Sequence, residues 1–291
     1  MQQGLARPMA PPECLTRHPP PASPPRPPAG LQSTARGRKG AAPERCATPE
    51  LGCAYVGLEY RGHGASGGDL ARCGLGDWAA DVALALRAAA GGRRALLVGS
   101  SIGAWLALHA ALAAPAPHPV AGLLLVAPAV DASLRWQAEA RPAGAEDLAL
   151  LPSPYVFGGG ILVGRRLIAD ANQGWLLLDA PGKLAGLASG LPVHILHGER
   201  DDVVPLAEVR ALAAALAAAG ADVRLEVIPG GDHRLSRDED LARILAALRG
   251  LQAAADAAGG TELGEKVSAG LLCVGACLRC RGGTPRAGGG L

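Results

Sequence analysis

A serine hydroxyl attacks a carbonyl only when a base takes its proton and no bulky neighbour covers it. Ser101 meets the second condition, because it stands inside Gly99-Ser100-Ser101-Ile102-Gly103 with small residues around it. Ala95 to Val98, just upstream, has the length and composition of a short strand buried on both faces. From Ile102 onward Trp105, Leu106, Leu108, His109 and Leu112 mix both sides of a helix that should be almost wholly buried. A strand, a tight turn and a helix in that order thrust Ser101 outward. They also aim the N–H of Ile102, at the mouth of the helix, where negative charge would develop on a substrate oxygen. Ser100 is then a neighbour, not the attacker. A second match to the same pattern, Gly64-Ala65-Ser66-Gly67-Gly68, follows a turn and is not continued by an apolar helix, so Ser66 is set aside.

The base and the acid that such a serine requires are found far along the chain. VHIL at Val193 to Leu196 reads as a strand, and the loop after it carries Asp201 and Asp202 before Pro205 opens a helix running to Ala219. VRLEVI at Val223 to Ile228 alternates as the last strand, and Gly230-Gly231-Asp232-His233 follows at its carboxyl end. Ser101, Asp201 and His233 thus each lie just past the end of a predicted parallel strand, where open α/β sheets place their sites. His233 would take the serine proton and return it to the leaving group, while Asp201 fixes the imidazole tautomer. The plainer readings are that Asp201 or Asp202 caps the next helix and that His233 is a surface loop residue beside Asp232. His63 reads as a turn residue and His109 rides the buried helix, while His194 and His197 belong to one strand and His18 and His118 sit among prolines. None of these makes a metal set.

The remaining elements must hold these loops together. Cys53 to Tyr60 reads as a strand, Asp77 to Ala90 as an alanine- and leucine-rich helix, and Val120 to Val126 as a further buried strand closed by Pro128. Strands alternating with helices argue for a mostly parallel sheet with helices on both faces. Residues 131–178 interrupt the alternation with much of the aromatic content, and an insertion there can lie over a site as a small lid. Trp136, Tyr155 and Phe157 are its candidate substrate contacts; the plainer reading is that they plug the top of the core. Ser236 and Glu239 form a candidate capping box for the final helix. The domain expected is 51–255, between a disordered proline-rich leader at 1–50 and a Gly/Ala-rich tail at 256–291 without periodicity.

Composition narrows the class. A net charge of +2 with 19% charged residues gives no basis for a nucleic-acid or membrane-surface role. The longest uncharged run near the C-terminus, Val267 to Leu278, is too short to span a bilayer, so a soluble protein without a transmembrane segment is expected. Seven cysteines and no apolar secretory segment favour a reducing compartment. Cys273, Cys277 and Cys280 make at most half a zinc site, so neither metal nor cofactor is expected. Met1 to Pro49 carries seven basic against two acidic residues, as a transit peptide does, although its prolines oppose an amphipathic helix.

The stretches EYRGHGASGG, LLVGSSIGAWLALHAA, LPSPY, HILHGERDDVVP and GGDHRLSRDEDL resemble the α/β-hydrolase superfamily, in which the triad also runs Ser, Asp, His. Within it the sequence resembles the mitochondrial palmitoyl-protein thioesterase and acyl-glucuronide esterase branch with its bacterial relatives, over Ala54 to about Leu251. Ala104 stands where that branch more usually has glycine. The resemblance implies Ser101, Asp201 and His233 as nucleophile, acid and base and Ile102 as one oxyanion donor. It implies a small acyl ester or an S-acylated protein as substrate, hence depalmitoylation, and a mitochondrial location, with the cytoplasm as the alternative. The family also has an upstream strand whose loop completes the oxyanion hole, lying between the counterparts of Ala54 to Tyr60 and Ala95 to Val98. No such segment is found between Met1 and Gly52, so the first 50 residues are expected to stand in place of true coding sequence, and a gap is expected in the sheet. Two functions follow as expectations: a serine esterase or thioesterase working through an acyl-serine, or an α/β-hydrolase-like binding protein impaired by an incomplete oxyanion hole.

Overall fold

The computed structural model of the protein describes residues 55–64, 66–90, 94–114, 119–155, 160–180, 182–259 and 270–275. Six strands form one sheet in which every neighbouring pair is parallel: β1 (Tyr55–Leu58), β2 (Ala95–Ser100), β3 (Val120–Val126), β7 (Pro192–Gly198), β8 (Asp222–Ile228) and β9 (Gly270–Gly275). Their order across the sheet is β1-β9-β2-β3-β7-β8. The wholly buried runs ALLVGS and VAGLLLV make β2 and β3, because a strand covered on both faces needs apolar residues at every position.

Helices α1 (Leu75–Ala90), α2 (Ile102–Leu112) and α5 (Leu206–Ala218) share one face of this sheet. There Trp78, Trp105, Leu108 and Leu212 join Leu97, Leu123, Leu125 and Ile195 in a single core. On the other face α6 (Asp238–Gly259) lays Leu241, Ile244 and Leu248 over Leu96, Leu124 and Leu196. Helices therefore cover both faces, as the sequence led one to expect. Among the described residues no helix is long and apolar enough to cross a membrane.

The insertion after β3 is an antiparallel three-stranded sheet, β4 (Arg141–Pro142), β5 (Leu148–Pro152) and β6 (Gly160–Gly164), flanked by α3 (Ser133–Glu139) and α4 (Arg165–Asp170). Its two ends are tied together. The buried Asp131 carboxylate accepts the N–H groups of Leu177 (2.8 Å), Leu178 (2.7 Å) and Asp179 (3.1 Å). Arg135 of α3 also grips Glu208 of α5 with two hydrogen bonds, of 2.8 and 3.2 Å.

Three expectations need correction or qualification. The tail, expected to be unstructured from residue 256, instead continues α6 to Gly259 and forms β9 at Gly270–Gly275. The gap expected between β1 and β2 is filled by that same strand, which pairs Leu272 with Val56 on one side and with Leu97 on the other. An uncharged apolar run suits a strand with neighbours on both edges, and no alternation is required of it. The leader at 1–50, expected to be disordered and to stand in place of the upstream strand, lies outside the described residues, as do Phe157, Cys277 and Cys280. The helix start lies one residue beyond the capping box expected at Ser236. Arg237, not Ser236, precedes α6, and its N–H donates to the Asp240 carboxylate (3.0 Å), while Glu239 pairs with the Arg237 guanidinium instead (3.0 Å).

Candidate active site

Ser101 sits at the turn between β2 and α2 with φ 55°, a conformation uncommon for a residue with a side chain. Three main-chain bonds enforce it. The Ser101 N–H donates to Val126 O (2.9 Å), and Ser101 O accepts from Ala104 (3.0 Å) and Ala129 (3.2 Å). The turn is this tight only because residue 99 has no side chain. A Cβ on Gly99 would lie 2.5 Å from Gly103 O and 2.6 Å from the Ala104 N and Cα, all of them backbone atoms. Ile102 opens α2, so its N–H is among the donors that have no acceptor within the helix.

The two distant loops reach the same point. His233 Nε2 lies 3.1 Å from Ser101 Oγ, and His233 Nδ1 lies 2.8 Å from Asp201 Oδ2. With Nδ1–H donating to Asp201, Nε2 is left to accept the Ser101 proton. Asp201 is fixed in turn by its other oxygen, which accepts the N–H groups of Val203 and Val204 (both 2.9 Å). Burial pushes the Asp201 carboxyl up, but the bond and charge of His233 and the two amides outweigh it and hold it below the ordinary aspartate value. The loops that carry Asp201 and His233 are interlocked at Gly198, where an added Cβ would strike the main chain of Gly231, and Arg200 N–H donates to Gly231 O (2.8 Å).

Ser66 is occupied elsewhere, its hydroxyl donating to Glu59 O (2.7 Å). Asp202 neither caps a helix nor touches His233; it accepts from the Tyr155 hydroxyl (2.8 Å). His197, assigned to its strand by sequence, lies fully buried with Nδ1 3.6 Å from Asp201 Oδ2, beyond hydrogen-bonding range. Burial, reinforced by the charge of His233, pushes its imidazole below the ordinary value despite the nearby Asp201.

Ser101 and Ile102 line an open cleft shared with the lid. Trp136 and Tyr155, two of the three aromatic residues expected to meet a substrate, line it, together with Leu151, Ile161, Val163 and Leu167. Trp78 also lines it and was missed by sequence reasoning, as was Arg135. Trp78 lies in α1, and its indole N–H is held by Arg61 O (3.1 Å), a contact that local sequence does not signal. Among the described residues no group of three or more His, Cys, Asp or Glu could hold a metal ion.

This arrangement of strand, turn and crossing loops has known counterparts. The Alpha/beta hydrolase family matches residues 40–247, well over half of the chain. The chain belongs to that family. A curated relative from Mus musculus, "Palmitoyl-protein thioesterase ABHD10, mitochondrial", is 35% identical over 197 residues, which is 66% of this chain. The chain spans 62% of the length of that relative. Among solved structures, alpha/beta hydrolase domain-containing protein 10 from mouse superposes with a TM-score of 0.59 at 29% identity, covering 76% of this chain and 86% of that one. A hydrolase structure from Agrobacterium vitis S4 gives 0.60 at 29% identity, with 76% and 85% covered. Membership in the family and the likeness to these proteins support a hydrolase.

Proposed function

We propose that the protein is a serine hydrolase that cleaves acyl thioesters or carboxylic esters through an acyl-Ser101 intermediate. The observation that carries this reading is the unbroken run from Ser101 Oγ to His233 Nε2 (3.1 Å) and from His233 Nδ1 to Asp201 Oδ2 (2.8 Å). Ser101 Oγ attacks the acyl carbonyl carbon as its proton passes to His233 Nε2. The oxyanion forms near the Ile102 N–H, at the N-terminus of α2. Collapse breaks the bond to sulfur or oxygen, and the leaving group takes the proton from His233. Water then gives a proton to His233 and attacks the acyl-serine, releasing the carboxylic acid and restoring Ser101. Asp201, kept ionised by its surroundings, supports the imidazolium in both halves.

The apolar walls of the cleft suit a hydrocarbon acyl chain, and the thioesterase name borne by the mouse relative points to S-acylated protein as the substrate class. The relative's mitochondrial name and the basic, acid-poor stretch before residue 50 together support a mitochondrial location. A fluorophosphonate probe tests the chemistry. Labelling that disappears in Ser101→Ala supports the acyl-serine route; folded wild-type protein that resists the probe overturns it and leaves a catalytically silent binding protein. Hydrolysis of p-nitrophenyl esters and acyl thioesters of rising chain length then ranks the substrates.

A further inference from the structure

Tyr155 belongs to the lid by sequence but is bonded chiefly to the loops that carry the acid and the base. Its hydroxyl donates to Asp202 Oδ1 (2.8 Å) and accepts the main-chain N–H of His233 (3.3 Å). Its ring lies 4.6 Å beneath the Arg234 guanidinium and roughly parallel to the His233 imidazole, with ring centroids 6.4 Å apart. Its own carbonyl accepts from Arg234 Nη2 (3.3 Å). One lid residue is thus gripped at ring, hydroxyl and main chain by the segment that holds the proposed base. The adjacent acids of Asp201-Asp202 divide the work: one orients the imidazole of His233, and the other orients the phenol that orients the main chain of His233.

We infer that Tyr155 is a positioning residue that couples the seating of the lid to the placement of His233, acting through Asp202 and the His233 amide. This rests on the serine hydrolase reading of Ser101. A phenol that only walls the cleft would affect substrate affinity. A phenol that anchors the base loop affects the step in which the Ser101 proton moves, because a small displacement of Nε2 from Oγ slows transfer more than it weakens binding. The hydroxyl bridge also needs an acceptor at residue 202 but not a charge.

The test uses Tyr155→Phe, which keeps the ring under Arg234, with Asp202→Ala, which removes the acceptor, and Asp202→Asn, which keeps it. Tyr155→Phe and Asp202→Ala are expected to lower kcat about tenfold with KM within about twofold, and the double variant to be no worse than Tyr155→Phe alone. Asp202→Asn restores activity to within about twofold of wild type. Independently of turnover, amide exchange of the peptide spanning 229–236 should quicken several-fold in Tyr155→Phe and Asp202→Ala but not in Asp202→Asn. A rise in KM with unchanged kcat, multiplicative losses in the double variant, or unaltered exchange overturns the coupling. Should wild-type protein show no turnover, or Ser101→Ala retain it, the hydrolase reading fails instead, and the exchange measurement alone decides whether Tyr155 positions the loop.

Discussion

The N–H of Leu178 donates to the carboxylate of Asp131 across 2.7 Å, joining the two ends of the insertion that follows β3. Leu177 and Asp179 donate to the same carboxylate, so one buried side chain satisfies three amides at the base of the lid. Asp131 adopts φ 56°, which aspartate tolerates better than most residues. Asp131→Ala strands those donors and keeps the unfavourable backbone. It is expected to cost about 3 kcal/mol in urea denaturation, and Asp131→Asn about half of that. Equal stability of wild type and Asp131→Ala would mean that the carboxylate does not anchor the lid.

Gly99→Ala puts a methyl group against the main chain of Gly103 and Ala104, where no flexible side chain can give way. Separating β2 from α2 to admit it should cost about 3 kcal/mol and displace Ser101 from His233. Denaturant midpoints and probe labelling read the two effects separately. A variant that is stable and labels at the wild-type rate would show that the turn does not need the close approach.

Four histidines, His63, His109, His194 and His197, are each held below the ordinary imidazole value, with burial as the largest cause in every case. The folded chain therefore binds fewer protons than the unfolded chain between the ordinary value of about 6.5 and the lower folded values. Stability is full above that range and falls as pH drops through it. Asp201 adds a loss of the same sign further down, because its depressed carboxyl stabilises the fold above the unfolded aspartate value and ceases to as pH falls toward the folded one. Urea midpoints measured from pH 8 to pH 5 should decline below about pH 6.5; a level profile contradicts the burial of neutral imidazoles.

Leu272 sits in the middle of β9, paired with Leu97 and Val56. Leu272→Pro removes a ladder donor and inserts a ring into a strand with neighbours on both sides. The expected loss is about 3 kcal/mol or more, read by thermal or urea unfolding. If residues 270–275 did not belong to the sheet, the same substitution would leave stability unchanged.

How much of this could be read in advance depended on how local the cause was. Val120–Val126 was delimited to the residue, because an unbroken apolar run closed by proline has one reading. The turn at Ser101 and the convergence of Asp201 and His233 were legible because parallel strands carry their loops to one rim. The start of α6 slipped by one position, since Asp238, Glu239 and Asp240 offer three acids at the helix start and only geometry selects Asp240. Trp78 and Arg135 escaped notice because their access to the cleft depends on tertiary packing alone. β9 escaped for a different reason. Val267 to Leu278 is too short for a membrane span and lies in a tail without periodicity, and nothing in an apolar run says which distant strands it will join.

The position of β9 bears on how the molecule comes into being. Strands β1 and β2 are completed by residue 100, yet the strand that bridges them begins at residue 270. A chain emerging from the ribosome therefore carries two bare sheet edges beside the Ser101 turn until residues 270–275 follow, and such edges invite pairing with other chains. The sheet cannot be completed until residues 270–275 have been made, and nascent chains arrested before residue 270 should depend on chaperones in a way that longer ones do not.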